Sequence, residues 1–270
     1  MNRIENAFKN KPIFMPYFPL GYPDLDTSID VIEALAKNGA DVIEVGLSFS
    51  DPLADGPVIQ KATQVALEKG ITVRKSLEAV KELRKRGVDI PLILMGYYNP
   101  MLAYGLAKFI RDAVEAGADG FIIPDLPPEE GDEFESVLNA GRVDGGDVPP
   151  SYRDLPLIQM LAPTSSPERM EMIARNAKGF IYLVSVTGIT GERKSLAEGL
   201  ADLITLVRAH TSVPVCVGFG IGTPEQAMQV GALADGVIVG SACVKAIGGS
   251  EKPVETAREF AKNFADALRQ

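Results

Sequence analysis

The chain's 270 residues carry a formal net charge of -9, and 46% of them are hydrophobic. That supplies a substantial core and argues against disorder, while the acidic balance lacks the basic stripe a nucleic-acid partner needs. No apolar run reaches the roughly 18 residues of a membrane span. The opening MNRIENAFKNK has no signal-peptide core, and two separated cysteines, Cys216 and Cys243, suggest a reducing, cytoplasmic setting.

In chain order, short β-branched or apolar runs predict strands over 13–18, 41–45, 92–96, 120–123, 155–161, 179–184, 213–217 and 236–239. Amphipathic patterns between them predict helices, among them 27–38, 73–86, 106–116, 166–176 and 195–210. The phrases Asn38-Gly39-Ala40-Asp41 and Ala116-Gly117-Ala118-Asp119 mark helix ends, each glycine supplying the turn into the next strand. Eight such units predict an α/β protein, a single-domain (β/α)8 TIM barrel over 1–270, with an open doubly wound sheet as the alternative. The Gly-, Pro- and Asp-rich stretch at about 141–154 reads as a flexible loop insertion on the face opposite the chemistry.

In a barrel, chemistry sits at the C-terminal ends of the strands. The second strand carries Glu44 inside an apolar run, where an unpaired ionised carboxylate costs several kcal/mol. Either a buried partner satisfies it, or it is an acid/base with a raised pKa suited to proton transfer near neutral pH. The following loop, 47–57, holds Asp51 and Asp55, which fit turn residues or a site beside Glu44. Glycine-rich turns at 217–222 and 239–241, after strands seven and eight, read as close-packed turns or as a phosphate cradle of backbone amides. Tyr182 on the sixth strand fits core or site, and the Gly- and Thr-rich loop after it could close over a substrate.

The single histidine, His210, ends a helical pattern, no cluster has metal-ligand spacing, and no lysine ends a strand. The residues alone therefore suggest carboxylate acid/base chemistry on a phosphate ester, needing neither metal nor cofactor in this chain, with the substrate open.

The string Glu44-Val45-Gly46-Leu47-Ser48-Phe49-Ser50-Asp51-Pro52-Leu53-Ala54-Asp55-Gly56-Pro57 closely resembles the signature of the tryptophan synthase alpha chain family. The likeness continues through Met95-Gly96-Tyr97-Tyr98-Asn99-Pro100, Pro124-Asp125-Leu126-Pro127, Thr187-Gly188-Ile189-Thr190-Gly191, Gly218-Phe219-Gly220-Ile221 and Gly240-Ser241. It implies reversible retro-aldol cleavage of indole-3-glycerol phosphate to indole and glyceraldehyde 3-phosphate. Glu44 would be the general acid/base, Asp55 would take the indole N–H, and Tyr182 would border the glycerol. Thr190 would reach Asp55 on loop closure, and Tyr17, Met95, Phe219 and Ile238 would line the indole. Gly191, Gly220, Gly240 and Ser241 would hold the phosphate.

The resemblance also implies a beta-chain partner carrying pyridoxal phosphate in an alpha2beta2 complex, contacted by segments holding Asp51, Pro52, Asn99, Pro127 and Gly188. Ser48 stands where the family often has proline, and Tyr17 where phenylalanine is common. Other readings from the residues are a related phosphate-binding barrel enzyme, a noncatalytic regulatory subunit that binds the ester, and a stand-alone lyase releasing free indole.

Overall fold

Eight apolar runs form parallel strands: β1 (Ile13–Pro19), β2 (Ile43–Gly46), β3 (Leu92–Met95), β4 (Gly120–Ile122), β5 (Leu157–Leu161), β6 (Ile181–Val184), β7 (Val215–Gly218) and β8 (Gly236–Val239). In this computed structural model they close into a barrel in chain order, with β1 pairing both β2 and β8. The structure describes residues 2–140, 142–143, 146–147, 155–184, 193–218 and 220–270, without side chains at 139–140, 142–143, 146–147 and 193–198. The predicted (β/α)8 barrel is the observed fold, and the open sheet is excluded by closure between β8 and β1.

All eight predicted strands are present, but four start later than their hydrophobicity suggests. Pro156 and Pro214 have no N–H to enter the ladder, so β5 and β7 begin one residue beyond them. Gly179 adopts φ +70°, which breaks extended backbone ahead of β6. Before β2, the Asp41 carboxylate accepts the Phe14 N–H at 2.8 Å, replacing a ladder bond with a side-chain bond.

Helices pack outside the barrel, as amphipathic faces require when both sheet faces are covered. Their starts are set by side-chain caps: Asp24, Thr72, Ser166 and Thr223 each accept an N–H of the first turn. The C-terminal helix Pro253–Leu268 lays Ala257, Ala261, Phe264 and Leu268 inward, with Phe264 stacked on Phe14 of β1 at 5.3 Å. Within the predicted insertion, Arg142–Val143 pair antiparallel with Gly146–Asp147. A ladder of two residues per strand is too short to leave an alternation in the sequence. The rest of that stretch lies outside the described residues.

Candidate active site

Alternation along the strands aims Tyr17 of β1, Glu44 of β2, Met95 of β3, Ile122 of β4, Met160 of β5 and Tyr182 of β6 into the barrel. With Ala54, Asp55, Ile59, Pro124 and Gly240 they line a cavity open to solvent at its mouth. Its apolar wall with a few converging polar groups suits a small ligand. Glu44, Asp55, Tyr182, Tyr17, Met95 and Gly240 are thus brought together as the sequence suggests. Ile238 is buried and points inward in register with Met15, one layer beneath Gly240, so it underlies the wall rather than forming it. Sequence reasoning passed over Ile122, Met160 and Tyr97; strand alternation signals the first two, and position at a strand end signals the third.

Two glycines make room for the tyrosines. A Cβ at Gly46, on β2, would overlap the Tyr17 hydroxyl, and a Cβ at Gly218, on β7, would overlap that of Tyr182. Each strand gives way to the phenol of the strand before it, which lets both rings lie across the barrel mouth.

Glu44 is 3% exposed and forms no ion pair or hydrogen bond with a described residue. Burial, with the charge of Asp55 adding to it, pushes its carboxyl up from the ordinary 4.5 to about 8. It is therefore a neutral acid at pH 7. Burial raises Asp55 to about 6, against the pull of a hydrogen bond that Tyr97 donates to Asp55 Oδ2 at 3.0 Å. Of the pair, Asp55 is the one that ionises more readily. Burial and the two carboxylates raise the Tyr17 and Tyr182 phenols well above their usual range, so both stay protonated.

The loop that carries Asp55 is braced at several points. The Asp55 N–H donates to the Pro52 carbonyl at 3.0 Å, and the Gln60 side chain donates to the Asp55 carbonyl at 2.8 Å. Ser48, where the family often has proline, donates its hydroxyl to the Leu20 carbonyl at the end of β1. Asp51 is exposed and Pro52 half-buried on this loop, while Asn99 is exposed on the helix Tyr98–Tyr104 after β3 and Pro127 is half-buried after β4.

At the other side of the mouth, Gly240 precedes the helix Ser241–Gly248 as a cap with no side-chain hydrogen bond, leaving the first-turn amides to an outside acceptor. Gly220 is exposed after β7 with φ +76°. Thr190, Gly191, Phe219 and Gly188 lie outside the described residues. Among the described residues no group of three or more His, Cys, Asp and Glu side chains could hold a metal ion, and no helix is long and apolar enough to cross a membrane.

A closed parallel barrel with two carboxylates brought into one cavity at its strand ends is the architecture of a barrel enzyme suited to acid/base chemistry. Comparison with known proteins specifies which one. The model of the family described as tryptophan synthase alpha chain matches residues 4–269. A tryptophan synthase alpha chain from Chloroflexus aggregans is 46% identical over 249 residues, covering 90% of this chain and 89% of that protein. A solved tryptophan synthase from M. tuberculosis is 34% identical with a TM-score of 0.85, covering 100% of this chain and 99% of that one. The tryptophan synthase subunit alpha of Legionella pneumophila is 36% identical with a TM-score of 0.86, covering 99% and 98%. This chain belongs to the tryptophan synthase alpha chain family.

Proposed function

We propose that the chain is a lyase of L-tryptophan biosynthesis, cleaving indole-3-glycerol phosphate reversibly to indole and glyceraldehyde 3-phosphate. The observation that carries this reading is the pair of carboxylates, Glu44 and Asp55, set in one largely buried cavity at the strand ends, where burial favours the neutral form of Glu44 more than that of Asp55. Glu44 gives its proton to indole C3, and the ring becomes an iminium-like electron sink. Asp55 accepts the indole N–H and stabilises the positive charge that develops there. The Glu44 carboxylate then takes the proton of the glycerol C3′ hydroxyl as the C–C bond breaks. The bonding electrons return to the ring, and Glu44 ends protonated as it began. No oxidant, reductant or added nucleophile enters the balance.

Tyr182, beside Glu44 in the cavity wall, borders the glycerol, while Tyr17 and Met95 hold the indole with Phe219 and, from below, Ile238. The phosphate is assigned to the amides of Gly240, Ser241, Gly220 and Gly191. An acidic chain binds an anion this way because helix N-terminal amides bring partial positive charge without a cation. Fixing that end orients the glycerol for both proton transfers. Thr190 reaches Asp55 when its loop closes.

The partner is a beta chain, in an alpha2beta2 complex within the cytoplasm, and pyridoxal phosphate belongs to that chain. Asp51, Pro52, Asn99, Pro127 and Gly188 are assigned to the contact. Leu53 is 82% exposed on the same loop as Asp51, which supports an apolar partner surface there. The test is release of indole from indole-3-glycerol phosphate, with and without a beta chain. Cleavage by the chain alone, raised by the partner, is expected. Binding without cleavage in either condition would instead make the chain a noncatalytic regulatory subunit.

A further inference from the structure

The geometry points to Tyr97 as a positioning residue that fixes the orientation of Asp55 and ties it to the loop after β4. This rests on the proposed reaction, in which Asp55 meets the indole N–H. Tyr97 stands two residues beyond the end of β3 and is 3% exposed. Its hydroxyl does two things at once: it donates to Asp55 Oδ2 at 3.0 Å and accepts the Ala54 N–H at 3.0 Å. Its ring packs against Phe49 of the same loop, with centroids 5.5 Å apart. The loop after β2 is thus held by one side chain from β3 at its backbone, at its apolar face and at its functional carboxylate.

The Asp55 carboxylate has no other hydrogen-bond donor among the described residues, so this hydroxyl is the one described polar contact that selects its rotamer. Burial and the charge of Asp55 raise the Tyr97 phenol well beyond its usual range, so it donates at every pH the enzyme meets. The adjacent residue extends the link. The Tyr98 N–H, at the start of the helix Tyr98–Tyr104, donates to Asp125 Oδ1 at 2.9 Å. Asp125 stands two residues before Pro127, so the loop after β4 and the loop bearing Asp55 are joined through two consecutive tyrosines.

The titratable groups that line the cavity with Asp55 are Glu44 from β2, Tyr17 from β1 and Tyr182 from β6, and Tyr97 reaches Asp55 from just beyond β3. Of these, only the Tyr97 phenol hydrogen-bonds the Asp55 carboxylate.

Tyr97→Phe keeps the ring and removes the hydroxyl. We would measure kcat and KM for indole release from pH 5 to 9, and titrate the Asp55 carboxyl by carbon-13 NMR in the unliganded chain. Loss of a hydrogen bond to a charged group is expected to lower kcat by roughly 10- to 100-fold with KM within about threefold. The Asp55 titration and the acid limb of the rate should both move above about 6. Unchanged kcat, or a fall in kcat with the Asp55 titration unmoved, overturns the inference; the second result would mark a merely structural tyrosine. Because the NMR titration needs no turnover, a wild-type chain that releases no indole sinks the reaction alone, while an unmoved Asp55 sinks Tyr97.

Discussion

The two ends of the barrel bury carboxylates equally well and treat them in opposite ways. At the N-terminal end, Asp119 is 8% exposed and Asp235 6%, close to the 3% of Glu44 at the other end. Asp119 accepts the Leu92 N–H at 2.8 Å and pairs with Arg84 and Arg3. Asp235 accepts the Val215 N–H at 3.0 Å and pairs with Lys11 at 2.5 Å and Arg208 at 2.9 Å. Asp41 does the same more weakly, with Phe14 N–H and a distant Arg269. Each of these aspartates precedes an even-numbered strand and bonds the strand before it. Gly179 holds the corresponding place ahead of β6, with no carboxylate.

Burial alone would raise Asp235, but Lys11, the Val215 amide and Arg208 outweigh it and leave the carboxyl below its ordinary value. Glu44 has only burial and Asp55, both of which raise it. Equal burial therefore yields a charge in one place and a proton in the other. At the closed end Asp235 is stabilising, whereas Asp41, with only the distant Arg269 for a cation, is raised by burial as Glu44 is. The open end carries a destabilising pair, as expected of the proposed acid/base site.

The largest expected effect is at Glu44. Glu44→Gln should lower indole release by at least roughly 10^3-fold, with ester affinity within a few-fold, as seen by single-turnover kinetics and calorimetric binding. Asp55→Asn should lower kcat by about 10^2- to 10^3-fold, since the amide no longer offsets the developing charge.

At the other rim, Asp119→Ala should cost about 3 kcal/mol in urea denaturation, because Arg84 is left largely buried without its anion. Its kcat at 25 °C should stay within about twofold. A comparable loss of activity would erase the division between the two ends.

The pH dependence separates them further. Glu44 has a raised folded pKa, so wild-type stability falls as pH rises from about 4.5 towards 8. Glu44→Gln should then be more stable than wild type above pH 8 and match it below pH 4. Asp235 has a lowered folded pKa, so its contribution is present above the ordinary carboxylate range and disappears as pH falls through the folded value. The smallest effect is on rate. The proposed roles of Asp55 as anion and Glu44 as acid predict a bell-shaped kcat/KM with limbs near 6 and 8.

Much of this was legible in the residues. Eight apolar runs at barrel spacing specify the strands, and a Glu inside one of them is an anomaly that only a partner or a proton resolves. The Asp41 and Asp119 phrases were readable as helix ends, yet not as ladder acceptors, because their partners Phe14 and Leu92 lie 27 residues back in the chain. The same distance problem hides Tyr97, 42 residues from the carboxylate it holds. Pro57–Glu68 gives a weak helical signal, since it follows a loop and buries mainly small residues, Ala62, Thr63 and Ala66. Which of two chemically similar buried carboxylates would find a cation depends on which helix end reaches which strand, and no local pattern records that.

Carbon-13 NMR titration of the Glu44 carboxyl in the unliganded chain, assigned by its loss in Glu44→Gln, probes the uncompensated acid most directly. A midpoint near 8 is predicted. A midpoint near the ordinary 4.5 would mean that Glu44 is ionised at neutral pH, and the proton for indole C3 would have to come from elsewhere.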